Sequence, residues 1–365
     1  MEAIVCTDFG ESTVREVERP DPGPDEVLVA VDRVQLSVTE CRLYQGDPIA
    51  HHETVRARLE AGDGRLFGHE FCATVVETGA EVGDLAAGDR VYAPGKLPCG
   101  SCRYCETGHE EYCPDKRGIG YDLPGALAEF AALPAAPLRA VPDGVSDAAC
   151  AALQPFASAL LCALEADISP GDTVCTVGTG VMGYACGQLA LSLGAGTVVA
   201  VDVVPAKLDR AADRGLVPVD ARESDPVAAV RELTDGVGAD VVFEAVGGDQ
   251  SHGTDGDGPL AGAFRTARNG GTVVQVGHVV GDLTLTPRHL RLRNVDWVNP
   301  ARGVRQVGPN ADTGTLAAAL VADDRADIES YVTHELDGLA AFETAVDIGL
   351  HPENYDALGP AQLRL

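Results

Sequence analysis

The sequence predicts an α/β protein made of a strand-rich part and a doubly wound parallel sheet. Three observations lead there. From about residue 151 strands alternate with helices. A glycine-rich loop, Gly178-Thr179-Gly180-Val181-Met182-Gly183, follows a strand and opens a helix. Before residue 150 the chain consists of short β segments punctuated by glycine and proline. With 365 residues, 45% of them hydrophobic, the chain is long enough for two domains. It has no apolar run of membrane-spanning length.

The first residues, Met1-Glu2-Ala3-Ile4-Val5-Cys6, lack a basic stretch followed by an apolar one and read as a first strand of a cytoplasmic protein. Further β segments are expected at 26–34, 71–77, 90–92 and 128–132. The alternating part begins with a strand at 173–177 and a helix over 181–193. A strand at 197–201 and a helix from Pro205 follow, then buried strands at 240–243 and 272–276. Beyond residue 290 the pattern gives a strand at 294–298, a helix at 313–321, a strand at 331–334, a helix at 336–348 and an extended tail. Residues 249–258 form a polar, glycine-rich loop with no assigned role, and no internal repeat is present.

Acidic residues number 56 against 27 basic ones, a net charge of −29, and only Lys96, Lys116 and Lys207 are lysines. A surface this anionic repels a phosphate backbone, so nucleic acid is excluded as a partner. The acid is dispersed along the chain and resembles that of proteins from halophilic archaea. It reads as an adaptation to salt, which screens self-repulsion.

The glycine loop has the context a dinucleotide requires. Gly178 permits a tight turn, Gly180 lets the backbone approach a pyrophosphate, and Gly183 lets the helix lie close to the strand. Val181 and Met182 open that helix, whose free N–H groups favour phosphate. Nineteen residues after Gly183, Asp202 ends the next strand. A carboxylate there accepts from ribose hydroxyls and repels a 2′-phosphate, so the expected cofactor is NAD(H).

Cys99-x2-Cys102-x2-Cys105-x7-Cys113 has the spacing of a four-thiolate zinc site. A disulfide knot fits poorly, because the other seven cysteines are scattered through apolar segments and no secretory signal is visible. The run Pro98-Cys99-Gly100-Ser101-Cys102-Arg103-Tyr104-Cys105 resembles the structural-zinc lobe of the medium-chain dehydrogenase/reductase family, the zinc alcohol dehydrogenases. The glycine loop, the 240–247 and 270–277 stretches and Gly68-His69-Glu70 extend that resemblance over nearly the whole chain.

The resemblance implies a Rossmann NAD-binding domain (153–290) inserted in a mainly-β GroES-like catalytic domain (1–152 plus 291–365), with the structural-zinc lobe at about 95–117. It also implies that Val246, Gly247, Val276 and Gly277 line the nicotinamide pocket and that Ser158 touches the nicotinamide. Lys207 is grouped with the cofactor site. A homodimer or homotetramer acting on a small molecule is the implied assembly.

The family's catalytic zinc is where this chain departs from the pattern. Aligning Ser37-Val38-Thr39-Glu40-Cys41-Arg42-Leu43-Tyr44-Gln45-Gly46 on Thr39, Tyr44 and Gly46 puts Ser37 at the zinc cysteine. Likewise Gln154 in Leu153-Gln154-Pro155 stands where an acid belongs, while His69 is kept. Two anionic ligands become neutral ones that bind zinc poorly.

Three readings stay open. The second zinc is lost, and Thr39, His69, Tyr44 or a water orients and protonates the substrate. Alternatively the metal is kept by His69 and Glu70 with Cys41, His51 or His52. Or Cys41 itself is the ligand, in a shifted register. Against ligation, Cys41 also reads as a buried small hydrophobe and His51-His52 as solvated loop residues. By resemblance Thr39 is the proton-relay hydroxyl and Glu70 an acid behind the zinc. The chain is therefore expected to be an NAD(H)-dependent oxidoreductase interconverting an alcohol or polyol and its carbonyl. Its rivals are a zinc-independent reductase of an activated C=C bond and a non-catalytic NAD(H)-binding protein.

Overall fold

The strand leading into the glycine loop lies inside a six-stranded, all-parallel sheet. In the computed structural model, which describes residues 1–250, 258–281 and 285–365, the strand order is Val217–Asp220, Thr197–Asp202, Thr173–Val177, Ala239–Glu244, Ala267–Gln275, Asp296–Val298. Numbered along the chain this is 3-2-1-4-5-6, the order of a doubly wound dinucleotide-binding sheet. The central strands are continuous apolar runs because helices cover both faces of such a sheet. Val242 and Phe243 are fully buried, and Val199, Leu260, Phe264 and Val273 complete the core around them. Positions 251–257 of the glycine-rich loop lie outside the described residues.

The chain forms two units. The first holds residues 1–158, 302–324 and 328–365; the second holds 159–301 with 325–327. Residues 291–301, which the sequence assigns to the catalytic part, belong to the second unit. Asp296–Val298 pairs in parallel with Thr272–Val274 as the sixth strand. Residues 153–158 belong to the first unit, so the helix Leu153–Glu165 starts in one unit and ends in the other.

The first unit is built on a largely antiparallel sheet ordered Glu335–Asp337, Gln362–Arg364, Glu26–Gln35, Glu70–Thr78, Arg90–Tyr92, Arg139–Ala140, with Phe130–Pro134 also pairing to Glu26–Gln35. Val27, Val29, Val31 and Val34 are buried against Phe71, Ala73, Val75 and Leu363. The tail lies in the first unit, where Gln362–Arg364 pairs with the strand at Gln35, Val34 and Arg33.

The C-terminal segment departs from its sequence reading. Residues 331–334 are not a strand; Glu329–Tyr331 is a 3-10 turn and the strand is Glu335–Asp337. The β-branched run there reads as a strand, but pairing with Gln362–Arg364 selects the next three residues, so tertiary partners override propensity. The expected helix over 336–348 starts only at Phe342, because Gly338 turns the chain at φ +74° after the strand. The stretch between Gly46 and Gly68 contains a helix, His52–Glu60, that no sequence reading assigned. Among the described residues no helix is long and apolar enough to cross a membrane.

Phe243→Ala removes a fully buried ring from the centre of the parallel sheet. It is expected to lower unfolding free energy by about 3–5 kcal/mol in urea titration. Val237→Ala, at an exposed position, should change it by less than about 0.5 kcal/mol.

Candidate cofactor, metal and catalytic sites

In the second unit the glycine loop is a turn that only small residues allow. Gly178 sits at φ +88°, and a Cβ on Gly183 would come within 1.9 Å of the Gly178 carbonyl oxygen. At Gly180, by contrast, a Cβ would meet nothing within 4 Å, so the backbone faces open space beside the start of the helix Val181–Ser192. This is the cradle a pyrophosphate needs, and the residues fit a dinucleotide.

Asp202 is partly exposed at the end of its strand. Its Oδ2 accepts from Thr179 N at 2.7 Å, and its Oδ1 accepts from Val203 N and Val204 N at 2.8 and 2.9 Å. The carboxylate is thereby locked to the loop, with acceptor capacity left over. Lys207 lies partly buried on the following helix, Pro205–Asp213.

Glu244, which the sequence reading gave no role, holds together the two loops expected at the nicotinamide. Its Oε1 accepts from Val246 N and Gly247 N at 3.0 and 2.9 Å. Its backbone carbonyl accepts from Val276 N and Gly277 N, each at 2.8 Å. Burial raises its carboxyl above the ordinary value. Within the first unit, Ser158 accepts a hydrogen bond from Gln154 Nε2 at 3.2 Å.

Also in the first unit, the four cysteines converge. Cys99, Cys102, Cys105 and Cys113 place their sulfurs within 4.8 Å of one another, with Cys102 and Cys105 at 3.5 Å. Tetrahedral zinc–thiolate bonds of about 2.3 Å require sulfurs about 3.8 Å apart, so the donor set fits zinc. Backbone N–H groups of Ser101 and Cys102 pull the Cys99 thiol down to about 6, while burial and its sulfur neighbours push Cys105 up to about 12. Four thiolates this close need a cation among them. Among the described residues this is the one group of three or more such side chains arranged for a metal.

The residues around His69 are aligned by strand register. Gln362, Gln35 and Glu70 stand opposite one another on three adjacent strands. Gln362 Nε2 donates to Gln35 Oε1 (3.1 Å) and to the Ala148 carbonyl (2.8 Å), and Gln35 Nε2 donates to Glu70 Oε2 (2.6 Å). Glu70 Oε1 lies 3.8 Å from His69 Nε2. On the other side of the ring, Glu40 Oε1 is 2.8 Å from His69 Nδ1 and accepts from Gly68 N and His69 N.

Glu40 and Glu70 are buried, and His69 between them is half-buried. Burial pushes the Glu70 carboxyl up to about 7, against the pull of His69 and Gln35. Burial alone would lower His69, but the charge and hydrogen bond of Glu40, then Glu70, outweigh it and hold the imidazolium above its ordinary value.

Tyr121, which no sequence signal singled out, completes the cluster. Its hydroxyl is 3.3 Å from His69 Nδ1, with the Ser37 side chain close by. Burial, then Glu40 and Glu70, raise its phenol well above the ordinary value.

The positions where the family's catalytic zinc would bind do not fit one. Ser37 Oγ caps the helix Val38–Tyr44, accepting from Glu40 N at 3.1 Å, and Gln154 is tied to Ser158. With one imidazole and two neutral oxygens, the set offers Zn²⁺ no anionic ligand.

The replacements considered in sequence are also engaged elsewhere. Cys41 is buried against Leu36 and Gly349, with its thiol pushed up by burial. His51 stacks on Tyr121 at 4.3 Å, accepts from Lys96 Nζ at 2.8 Å, and is lowered to about 4 by burial and Lys96. His52 stacks on Phe9 and pairs with Glu53. Tyr44 is corrected as well: its hydroxyl donates to Glu343 Oε1 at 2.6 Å and bonds Ser12, so it anchors structure instead of orienting substrate. Thr39 is exposed on the helix beside Glu40.

Comparison with known proteins gives consistent relatives. Residues 23–143 match the alcohol dehydrogenase GroES-like domain, and residues 181–313 match the zinc-binding dehydrogenase family. The L-threonine 3-dehydrogenase of Deinococcus radiodurans is 32% identical over 273 residues, 74% of either chain. That of Xanthomonas euvesicatoria is 35% identical over 220 residues, 60% of this chain; the match spans 62% of the relative's length. Alcohol dehydrogenase TADH from Thermus sp. ATN1 superposes with a TM-score of 0.81 at 28% identity, covering 100% of this chain and 99% of that one. A zinc-binding dehydrogenase from Sinorhizobium meliloti, solved bound to NADP, gives 0.82 at 26% identity over 100% and 99% of the two chains.

Between an ordinary carboxyl value of 4.5 and about 7, folded Glu70 holds a proton that the unfolded chain has released. Stability therefore falls as pH rises through that window. Glu70→Gln removes the titration, so the wild type should lose stability relative to this variant between pH 5 and pH 8 in urea unfolding. An equal gap between the two proteins at both pH values would contradict this assignment.

Proposed function

The chain belongs to the zinc-binding, alcohol-dehydrogenase-like medium-chain dehydrogenases, and from that premise we propose that it is an NAD(H)-dependent oxidoreductase interconverting an alcohol or polyol and its carbonyl. The observation that carries the reading is the glycine turn open at Gly180 with Asp202 locked beside it. A bound nicotinamide supplies hydride acceptance and donation. The chain supplies the rest. Gly178–Gly183 and the helix start hold the pyrophosphate, and Asp202 receives the ribose hydroxyls. Glu244 fixes the loops at Val246–Gly247 and Val276–Gly277, which would line the nicotinamide. The relative from Sinorhizobium meliloti was solved with NADP; the preference for NAD here rests on the Asp202 carboxylate, which repels a 2′-phosphate.

The four cysteines would hold a structural zinc that fixes the lobe at about 95–117. Near the reacting centre, the chain would place His69, Glu40 and Glu70, with Thr39 passing a proton outward. Reduction of an activated C=C bond is a second reading. It is favoured by the neutral side chains at Ser37 and Gln154, because an enone oxygen needs less help from a cation than an isolated carbonyl does.

Asp202→Ala should raise the Kd for NAD(H) about tenfold or more, the worth of a hydrogen bond to a charged group, and relax discrimination against NADP(H). Fluorescence titration with both cofactors checks this. Wild-type protein that binds neither cofactor, or that prefers NADP(H), would overturn the reading. A panel of alcohols, polyols and enones separates the two reactions.

The charge of −29 leads us to propose a protein adapted to high salt. Its melting temperature should rise between about 0.1 M and 2 M KCl as self-repulsion is screened. A flat or falling melting temperature would contradict that adaptation.

A further inference from the structure

We propose that the Tyr121 hydroxyl, set beside His69, binds the reacting oxygen of the substrate in the place where relatives use a metal ion. The proposal rests on the oxidoreductase reading above. Ser37 and His69 stand at two of the three positions that carry the family's metal ligands, and the phenol oxygen lies 3.3 Å from His69 Nδ1 with the Ser37 side chain close by. A cation bridging the same two side chains would have to expel it.

The direction of each hydrogen bond follows from the donors available. Glu40 Oε1 lies 2.8 Å from His69 Nδ1, so that nitrogen carries a proton, which it shares with the Tyr121 oxygen at 3.3 Å. The phenol oxygen is thus an acceptor from His69, and its hydrogen remains to be donated elsewhere.

Stacking on His51 at 4.3 Å fixes the plane of the Tyr121 ring, and His51 is itself held by Lys96. The cluster opens to the outside at His69, whose side chain is 21% exposed. A carbonyl oxygen placed there accepts from Tyr121. As the carbonyl carbon takes a hydride and the π pair moves to oxygen, the oxygen takes the phenol proton, and His69 Nδ1 returns one to Tyr121. The products are one hydroxyl on the substrate and a neutral imidazole that keeps its proton on Nε2, and Nδ1 then regains a proton from solvent.

Tyr121→Phe deletes the hydroxyl and keeps the stacked ring. Removing one preorganised donor should lower kcat for carbonyl reduction about 100-fold or more, with NADH affinity and zinc content unchanged. A second arm reads the site without turnover. Ser37→Cys with Gln154→Glu restores the usual ligand types, and elemental analysis after zinc loading should find an added zinc only when Tyr121→Phe is also present. Wild-type kcat in Tyr121→Phe, or an added zinc in the ligand-restored protein with Tyr121 intact, would overturn the proposal. If the wild type fails to bind NADH, the functional reading falls, and the zinc arm still decides the role of Tyr121.

Discussion

The register of three strands in the first unit governs everything around His69. Because Gln362 stands opposite Gln35 and Gln35 opposite Glu70, three polar side chains line up under one ring in a sheet otherwise packed with valine. A slip of one residue would turn all three to the opposite face and leave apolar side chains in their place. The row is buried and hydrogen-bonded through its amides, and it fixes Glu70 beneath the His69 ring. A carboxylate held that way in low dielectric resists ionisation, which is why its carboxyl is pushed up to about 7.

Buried or half-buried carboxylates also set the shape of each loop that the proposed chemistry uses. Glu40 accepts from the N–H groups of Gly68 and His69, Glu244 from those of Val246 and Gly247, and Asp202 from those of Thr179, Val203 and Val204. In each case a side chain takes up N–H groups that no strand or helix pairs, and so pins an irregular backbone. A chain with 56 acidic residues displays most of them to solvent, and composition alone does not separate these three from the rest. Their role depends on where a strand ends and a loop begins.

What the sequence made legible is local. The cysteine spacing, the glycine loop after its strand and Asp202 at the end of the next strand are short-range patterns, and the structure brings each set together. The alternating strands of the parallel sheet were readable for the same reason, since each is a continuous apolar run. Contacts between distant residues were not. Tyr121 reaches His69 across 52 positions and Gln362 reaches Gln35 across 327, with no motif marking either. Tyr44 shows the converse error: its place in a family-like motif suggested chemistry, but its hydroxyl is bound to Glu343, 299 residues away. At the C-terminus, pairing with Gln362–Arg364 chose the strand over local propensity.

The central claim is that this chain keeps the family's scaffold zinc on Cys99, Cys102, Cys105 and Cys113 and works on its substrate oxygen through Tyr121 and His69. Anomalous diffraction at the zinc edge, from crystals of the zinc-loaded protein with NADH, tests it most directly. The account predicts one peak per chain, centred among the four sulfurs. A second peak at zinc–ligand distance, about 2.0–2.2 Å, from His69 would contradict it.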